Sequence, residues 1–232
     1  MADRFRQLRL VAVNIDGVLL NDTFSPVIHD FITSRGGAYT AEIERRIFSQ
    51  PRDVAGVELA AAAGVAMSGA EILRSYFEAR EQYLEKHPVE LECGAVELLA
   101  RLVDLGARVI CYGGLDKEHF DAHLGPHVEY FAPPHYVCTD SFRPGIEEIT
   151  TEVFGLAHDQ VLFIDDVARV AEEAKRLDTP FIGRPSPFPG SFQRQLMQEA
   201  GVRHVVDSLS AVDGELLVRI DEEAAAGCCW RA

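Results

Sequence analysis

Leu10-Val11-Ala12-Val13-Asn14-Ile15-Asp16-Gly17-Val18 is the stretch from which the rest of the chain is read. Four apolar residues in unbroken succession, halted by Asp-Gly, fit a strand buried on both faces, as in a parallel sheet. A half-solvated antiparallel strand would alternate instead. The same pattern recurs at Val109-Ile110-Cys111-Tyr112, Tyr136-Val137-Cys138 and Val161-Leu162-Phe163-Ile164, with shorter candidates at Thr179–Ile182 and His204–Val206. Helix-period stretches lie between them: Ala95 to Leu105, Gly145 to Phe154, and Val167 to Leu177. The first two stop at glycines, Gly106 and Gly155, which are natural helix ends. Strands alternating with helices of this length predict βαβ units, hence an α/β protein with a doubly wound parallel sheet. Ligands in such sheets bind beyond the carboxyl ends of the strands.

One block breaks the alternation. From about Ser25 to Pro88 no strand-like run occurs, and Val27–Ser34, Ala41–Phe48, Asp53–Ala63 and Gly69–Lys86 each read as a helix. The expected organisation is therefore a core formed by 1–22 and 89–232, with 23–88 as an inserted helical cap over the strand ends. Arg45, Arg46, Arg52, Arg74 and Arg80 lie in that block. One or two could reach an anionic ligand, the alternative being a solvated face with local pairs.

Composition bounds the function. A chain 47% hydrophobic and 25% charged is globular rather than disordered. A net charge of −15 opposes non-specific binding to nucleic acid or anionic membrane, yet permits a small anionic ligand held by local positive groups. No apolar run is long enough to span a bilayer, and the charged start, Met1 to Arg9, does not resemble a secretory signal, so a cytoplasmic location is expected. The five cysteines share no CxxC spacing, which argues against a disulfide framework or structural zinc. Cys93, Cys111 and Cys138 read as small buried side chains, and Cys228-Cys229 as a simple tail. His29, His119, His123, His127 and His135 show no metal-ligand spacing.

Four loops that follow inferred strands carry the chemistry. In the first, two-residue spacing puts Asn14 and Asp16 on the same side of the strand end, and Gly17 lets the chain turn close by. The bland alternative is a strand cap and a turn. In the second, the amides of Gly113 and Gly114 could approach an anion, or simply make a tight turn. The third is Asp140-Ser141-Phe142-Arg143-Pro144-Gly145, where Arg143 is either a charge for the site or an exposed helix-start residue. In the fourth, Asp165 and Asp166 end a buried strand side by side, an unfavourable arrangement unless a cation or donors lie near.

In order and spacing these loops, with the helical insert after the first strand, resemble the haloacid dehalogenase-like (HAD-like) superfamily in its helical-cap subgroup, which includes phosphoglycolate phosphatase and β-phosphoglucomutase relatives. The resemblance covers nearly the whole chain. It implies a Rossmann-like core, Mg²⁺, and phosphoryl transfer from small phosphorylated metabolites. By that resemblance the position of Asn14 belongs to a nucleophilic, metal-binding Asp, and Asp16 to the general acid and base. Gly113 takes the place of a phosphate-binding Ser or Thr, and Arg143 that of a Lys. Asp165 and Asp166 would hold the metal with Asn14 and Asp16, while Val170 stands where a further Asp is common.

The departures matter more than the matches. A carboxamide can ligate a metal but is a feeble nucleophile, and losing a covalent nucleophile costs orders of magnitude in rate. Asn14 could be an introduced change that traps a complex or a native residue of a diverged lineage. Gly113 and Arg143, altered at the same site, favour the second reading. The expectation is a HAD-like protein with diverged, weak or lost phosphohydrolase activity and a small anionic or phosphorylated ligand. Its Mg²⁺ site would be weakened. Two alternatives remain: a non-catalytic regulatory or interaction protein, and hydrolysis in which Asp16 acts on water.

Overall fold

The computed structural model describes residues 5–231. The charged start at 1–4 and residue 232 lie outside the described residues. Strands β1 (Leu10–Asn14), β2 (Arg108–Gly113), β3 (Tyr136–Cys138), β4 (Val161–Asp165) and β5 (Phe181–Gly183) form one parallel sheet in the order β3-β2-β1-β4-β5. The chain winds outward from β1 in both directions, so β1 is the point where connections change sides and a crevice opens at the carboxyl ends. The register aligns those ends: Asn14 pairs with Tyr112, Val13 with Ile164, and Asp165 with Gly183.

Alternation along β1 divides the core. Val11 and Val13 face one apolar cluster, and Leu10 and Ala12 face the other. The first cluster is covered by α5 (Ala95–Asp104), α6 (Lys117–Leu124) and α9 (Gly214–Ala226). The second is covered by α7 (Ala168–Arg176) and α8 (Gln193–Ala200) together with α1 (Ser25–Thr33). With both faces of the sheet buried, every residue of β1 and β4 is buried, which explains the unbroken apolar runs.

Helices α1, α2 (Ala41–Ile47), α3 (Arg52–Ala63) and α4 (Gly69–Leu84) lie between β1 and β2, as the periodicity predicts. Their ends follow local chemistry. The Thr40 side chain accepts from the Ile43 amide at the start of α2, Ser68 and Glu71 form a reciprocal capping box at α4, and Gly64 closes α3 in the left-handed region. The group packs through Ile47, Leu59, Ile72 and Tyr76 and meets the core at buried Glu44. Glu44 accepts hydrogen bonds from the Ser191 hydroxyl (2.9 Å) and the Phe192 amide (2.9 Å). Arg45 and Glu172 add an exposed ion pair between α2 and α7.

Several segments differ from the sequence reading. His204–Val206 is no sixth strand, because it meets the sheet only at Gly183, through the His204 carbonyl and the Val206 amide. The Gly145–Phe154 stretch is wound as a π-helix over Glu148–Val153, and α6, α8 and α9 add helices that the reading omits. Cys93 is exposed rather than buried, while Cys111 is buried and Cys138 half-buried. In the tail, burial pushes the Cys229 thiol up to about 12, and the Trp230 indole donates to the Thr179 carbonyl at 2.8 Å, so this segment packs as structure. Among the described residues no helix is long and apolar enough to cross a membrane.

One long-range tie fixes β1 at its start. Buried Asp221 of α9 accepts from the amides of Arg6 (2.7 Å), Gln7 (2.9 Å) and Leu8 (2.7 Å).

Candidate ligand site above the strand ends

A cavity of about 140 Å³ lies between the helical insert and the carboxyl ends of the strands. Its floor includes Asn14, Asp16, Asp22, Gly114, Arg143 and Asp166, and Ile47, Phe48, Leu59, Leu73 and Phe77 contribute to its apolar upper wall. Ser49, in the turn between α2 and α3, adopts a positive φ of 51° and also lines the space, a strained conformation for a residue with a side chain.

The floor is built around Asn14. Its Nδ2 donates to the backbone carbonyl of Asp16 (2.7 Å) and to Asp166 Oδ1 (2.8 Å). A backbone carbonyl can only accept, so the nitrogen end of the amide must face it. Gly17 (φ +85°) lies tight against Asp166, where a Cβ would sit 2.3 Å from Oδ2. Buried Arg184 holds the turn from beneath, donating to the Gly17 carbonyl (2.6 Å) and pairing with Glu92 (2.9 Å).

The other candidate residues divide between the cavity and its supports. Asp16 turns its Oδ1 to His119 Nε2 of α6, at 2.9 Å. This contact joins residues 103 positions apart and leaves no mark in the sequence spacing. Asp165 points away from the cavity, accepting from the Tyr112 hydroxyl (2.5 Å) and the Val167 amide (2.7 Å). Burial raises the pKa of both adjacent carboxylates, and the Asp165 charge raises that of Asp166 further. The pair therefore retains a proton to higher pH than free carboxylates do. Val170 is buried in α7 against the apolar core.

Gly113 has a steric reason to be glycine. A Cβ there would lie 2.4 Å from Ile15 Cγ2 and 3.1 Å from the Tyr136 hydroxyl, so the space a Ser or Thr would need is filled. Its carbonyl is taken by Thr139, from the amide (2.8 Å) and the hydroxyl (3.0 Å). Gly114 lines the cavity, with the Arg143 guanidinium packed against it. Among the insert's arginines, Arg52 lines the cavity, spanning it to Asp140 (2.8 Å) and the Gly114 carbonyl (3.1 Å). Arg80 is buried on Thr23 and Phe24, and Arg46 pairs with Glu58.

Arg143 differs from Arg52 and Arg184, which are committed to carboxylates. It is half-buried and lines the cavity, and among the described residues its guanidinium makes no ion pair. A guanidinium that lines a cavity and has no carboxylate partner is a strong anchor for an anion.

The floor does not fit a divalent cation as it stands. The Asn14 amide donates into the space that Asp16 O and Asp166 Oδ1 face, and both Asp165 oxygens are engaged. Among the described residues no group of three or more His, Cys, Asp or Glu converges as a metal site.

No family model matches the sequence, and no curated protein matches it significantly. Solved structures do match in three dimensions. One is a conserved haloacid dehalogenase-like protein of unknown function from Agrobacterium tumefaciens (17% identity, TM-score 0.63), matched over 91% of this chain and 99% of that one. A phosphonoacetaldehyde hydrolase-like protein from Oleispira antarctica (14% identity, TM-score 0.67) aligns over 98% and 97%. A HAD family hydrolase from Deinococcus radiodurans, solved with bound phosphate and sodium, aligns over 94% and 97% (17% identity, TM-score 0.59). The chain thus has the haloacid dehalogenase-like fold, a Rossmann-like parallel core with a helical cap.

Proposed function

We propose that this protein binds a small anionic or phosphorylated molecule beneath its cap, and that phosphohydrolase activity of the covalent kind is weak or lost. The Arg143 guanidinium, which lines the cavity floor without a carboxylate partner among the described residues, carries the reading. The wall of Ile47, Phe48, Leu59, Leu73 and Phe77 favours a ligand with an apolar body behind its charged head. The absence of covalent chemistry follows from Asn14, whose nitrogen is held by two acceptors and whose carbonyl oxygen is a poor nucleophile.

Calorimetric titration with phenyl phosphate and inorganic phosphate tests binding, and a panel of phosphate monoesters with and without Mg²⁺ tests turnover. Arg143→Met should weaken binding by about tenfold to a hundredfold, the value of one or two charge-assisted hydrogen bonds. Unchanged affinity in that variant would overturn the assignment of the anchor. Turnover at the rates of ordinary phosphatases would overturn the claim of lost covalent chemistry.

The contact between His119 and Asp16 favours a second reading, in which Asp16, held by the imidazole, takes a proton from a water that attacks phosphorus and passes it to the ester oxygen as the P–O bond to the leaving alcohol breaks. It predicts that Asp16→Asn abolishes any residual hydrolysis, and unchanged hydrolysis in that variant removes it.

A further inference from the structure

We infer that the Asn14 carboxamide is a built-in substitute for a divalent cation, so that the cavity floor works without metal, and that Asn14→Asp alone would convert it into a Mg²⁺ site. The inference concerns the floor itself and is independent of which ligand the cavity takes.

Three groups meet at the end of β1: the Asp16 carbonyl oxygen, Asp166 Oδ1 and the Asn14 side chain. The first accepts only, and the second belongs to a carboxyl group held in place over Gly17. An amide nitrogen carries two protons, and here each finds an acceptor, at 2.7 and 2.8 Å. Donors and acceptors are thereby matched without any further atom.

Replacing that nitrogen by oxygen reverses the situation. Three oxygens would face one another at these spacings with no proton between at least two of them, and one more negative charge would be buried beside Asp166. Oxygens around an octahedral Mg²⁺ at ~2.1 Å lie roughly 3 Å apart, close to the separations the amide now spans. The same cradle can therefore be satisfied in two ways, by two amide protons or by one small cation. The protein has the first. The arrangement removes one carboxylate charge and the need for a compensating ion in the same step, leaving Arg143, uncommitted where Arg52 is paired with Asp140, to face a ligand.

Thermal unfolding with and without MgCl₂, and Mn²⁺ titration followed by electron paramagnetic resonance, test this without reference to activity. The wild-type melting temperature should not respond to Mg²⁺, and added Mn²⁺ should remain free. Asn14→Asp should gain several degrees with Mg²⁺ and bind about one Mn²⁺ per chain. Asp166→Asn in that background should abolish both gains, locating the ion. A wild-type protein that binds Mn²⁺ stoichiometrically or is stabilised by Mg²⁺ overturns the inference. So does a folded Asn14→Asp variant that Mg²⁺ leaves unchanged. Should Asn14→Asp fail to fold, the wild-type Mn²⁺ titration decides alone: free ion supports the substitution, and bound ion refutes it.

Discussion

Glu44 ties the cap to the core, and removing its carboxyl group has consequences that can be worked through. The side chain is fully buried, with one oxygen accepting from the Ser191 hydroxyl and the other from the Phe192 amide, both at 2.9 Å. Glu44→Ala orphans both donors and opens a small void. Hydrogen bonds to a charged group contribute about 1.5–3 kcal/mol each, and part of that is offset because a buried carboxylate is itself poorly solvated. The net expectation is a loss of about 2–4 kcal/mol.

Glu44→Gln keeps the volume and one acceptor, so its loss should be smaller, about 1–2 kcal/mol. The two proteins should also differ in their pH response. Burial raises the pKa of Glu44 above the ordinary glutamate value, so the folded state holds its proton more firmly than the unfolded chain. Its contribution is most favourable below the unfolded value of about 4.3 and declines as pH rises through the folded one. Glu44→Gln cannot ionise and lacks this decline, so its deficit against wild type should narrow as pH rises over that window. Urea denaturation at several pH values reads both quantities. A Glu44→Ala loss under ~0.5 kcal/mol, or a deficit in Glu44→Gln that does not vary with pH, would refute the reasoning.

Gly17→Ala should cost about 2–4 kcal/mol in urea midpoint experiments, since it forces a left-handed conformation on alanine and drives a Cβ into Asp166. Tyr112→Phe removes the hydroxyl that helps lower the pKa of Asp165, so the raised value should climb further. Stability of that variant should therefore fall more steeply than wild type as pH rises above about 3.9, which parallel denaturation curves would register. Asp221→Ala strips acceptors from three amides leading into β1 and should lower stability by about 3–4 kcal/mol, with Asp221→Asn recovering part of it. Arg52→Ala breaks a solvent-exposed pair and should change stability by less than ~1 kcal/mol while speeding ligand release measured by stopped flow.

The parts of the fold legible in the sequence were those with a local signal. Val11 to Val13 and Val161 to Ile164 announce buried parallel strands because both faces of the sheet are covered, and the helices from 25 to 84 repeat at helical period between visible stops. Signals fail where a contact is made across the chain. Nothing near His119 points to Asp16, and nothing near Arg184 points to the Gly17 carbonyl, because each pair is joined only by the winding of the sheet. Gly113 stands where the resemblance places a hydroxyl, and that Ile15 fills the space a Cβ would need there could be seen only in the coordinates. His204–Val206 misled for the converse reason: its apolar pair is strand-like, yet it crosses the sheet edge at a single residue.

The Asp221 tie has a bearing on how the chain comes to be made. β1 leaves the ribosome well before α9, for the carboxylate that holds Leu8 lies 213 residues later. Until α9 has emerged and docked, the amides before the central strand have only water to bind, and the sheet is assembled around a strand whose leading end is loose. Closure of so long a loop is slow and comes late in assembly. The nascent chain should therefore reach its full resistance to proteolysis only after α9 has been synthesised, long after the strand that bears Asn14.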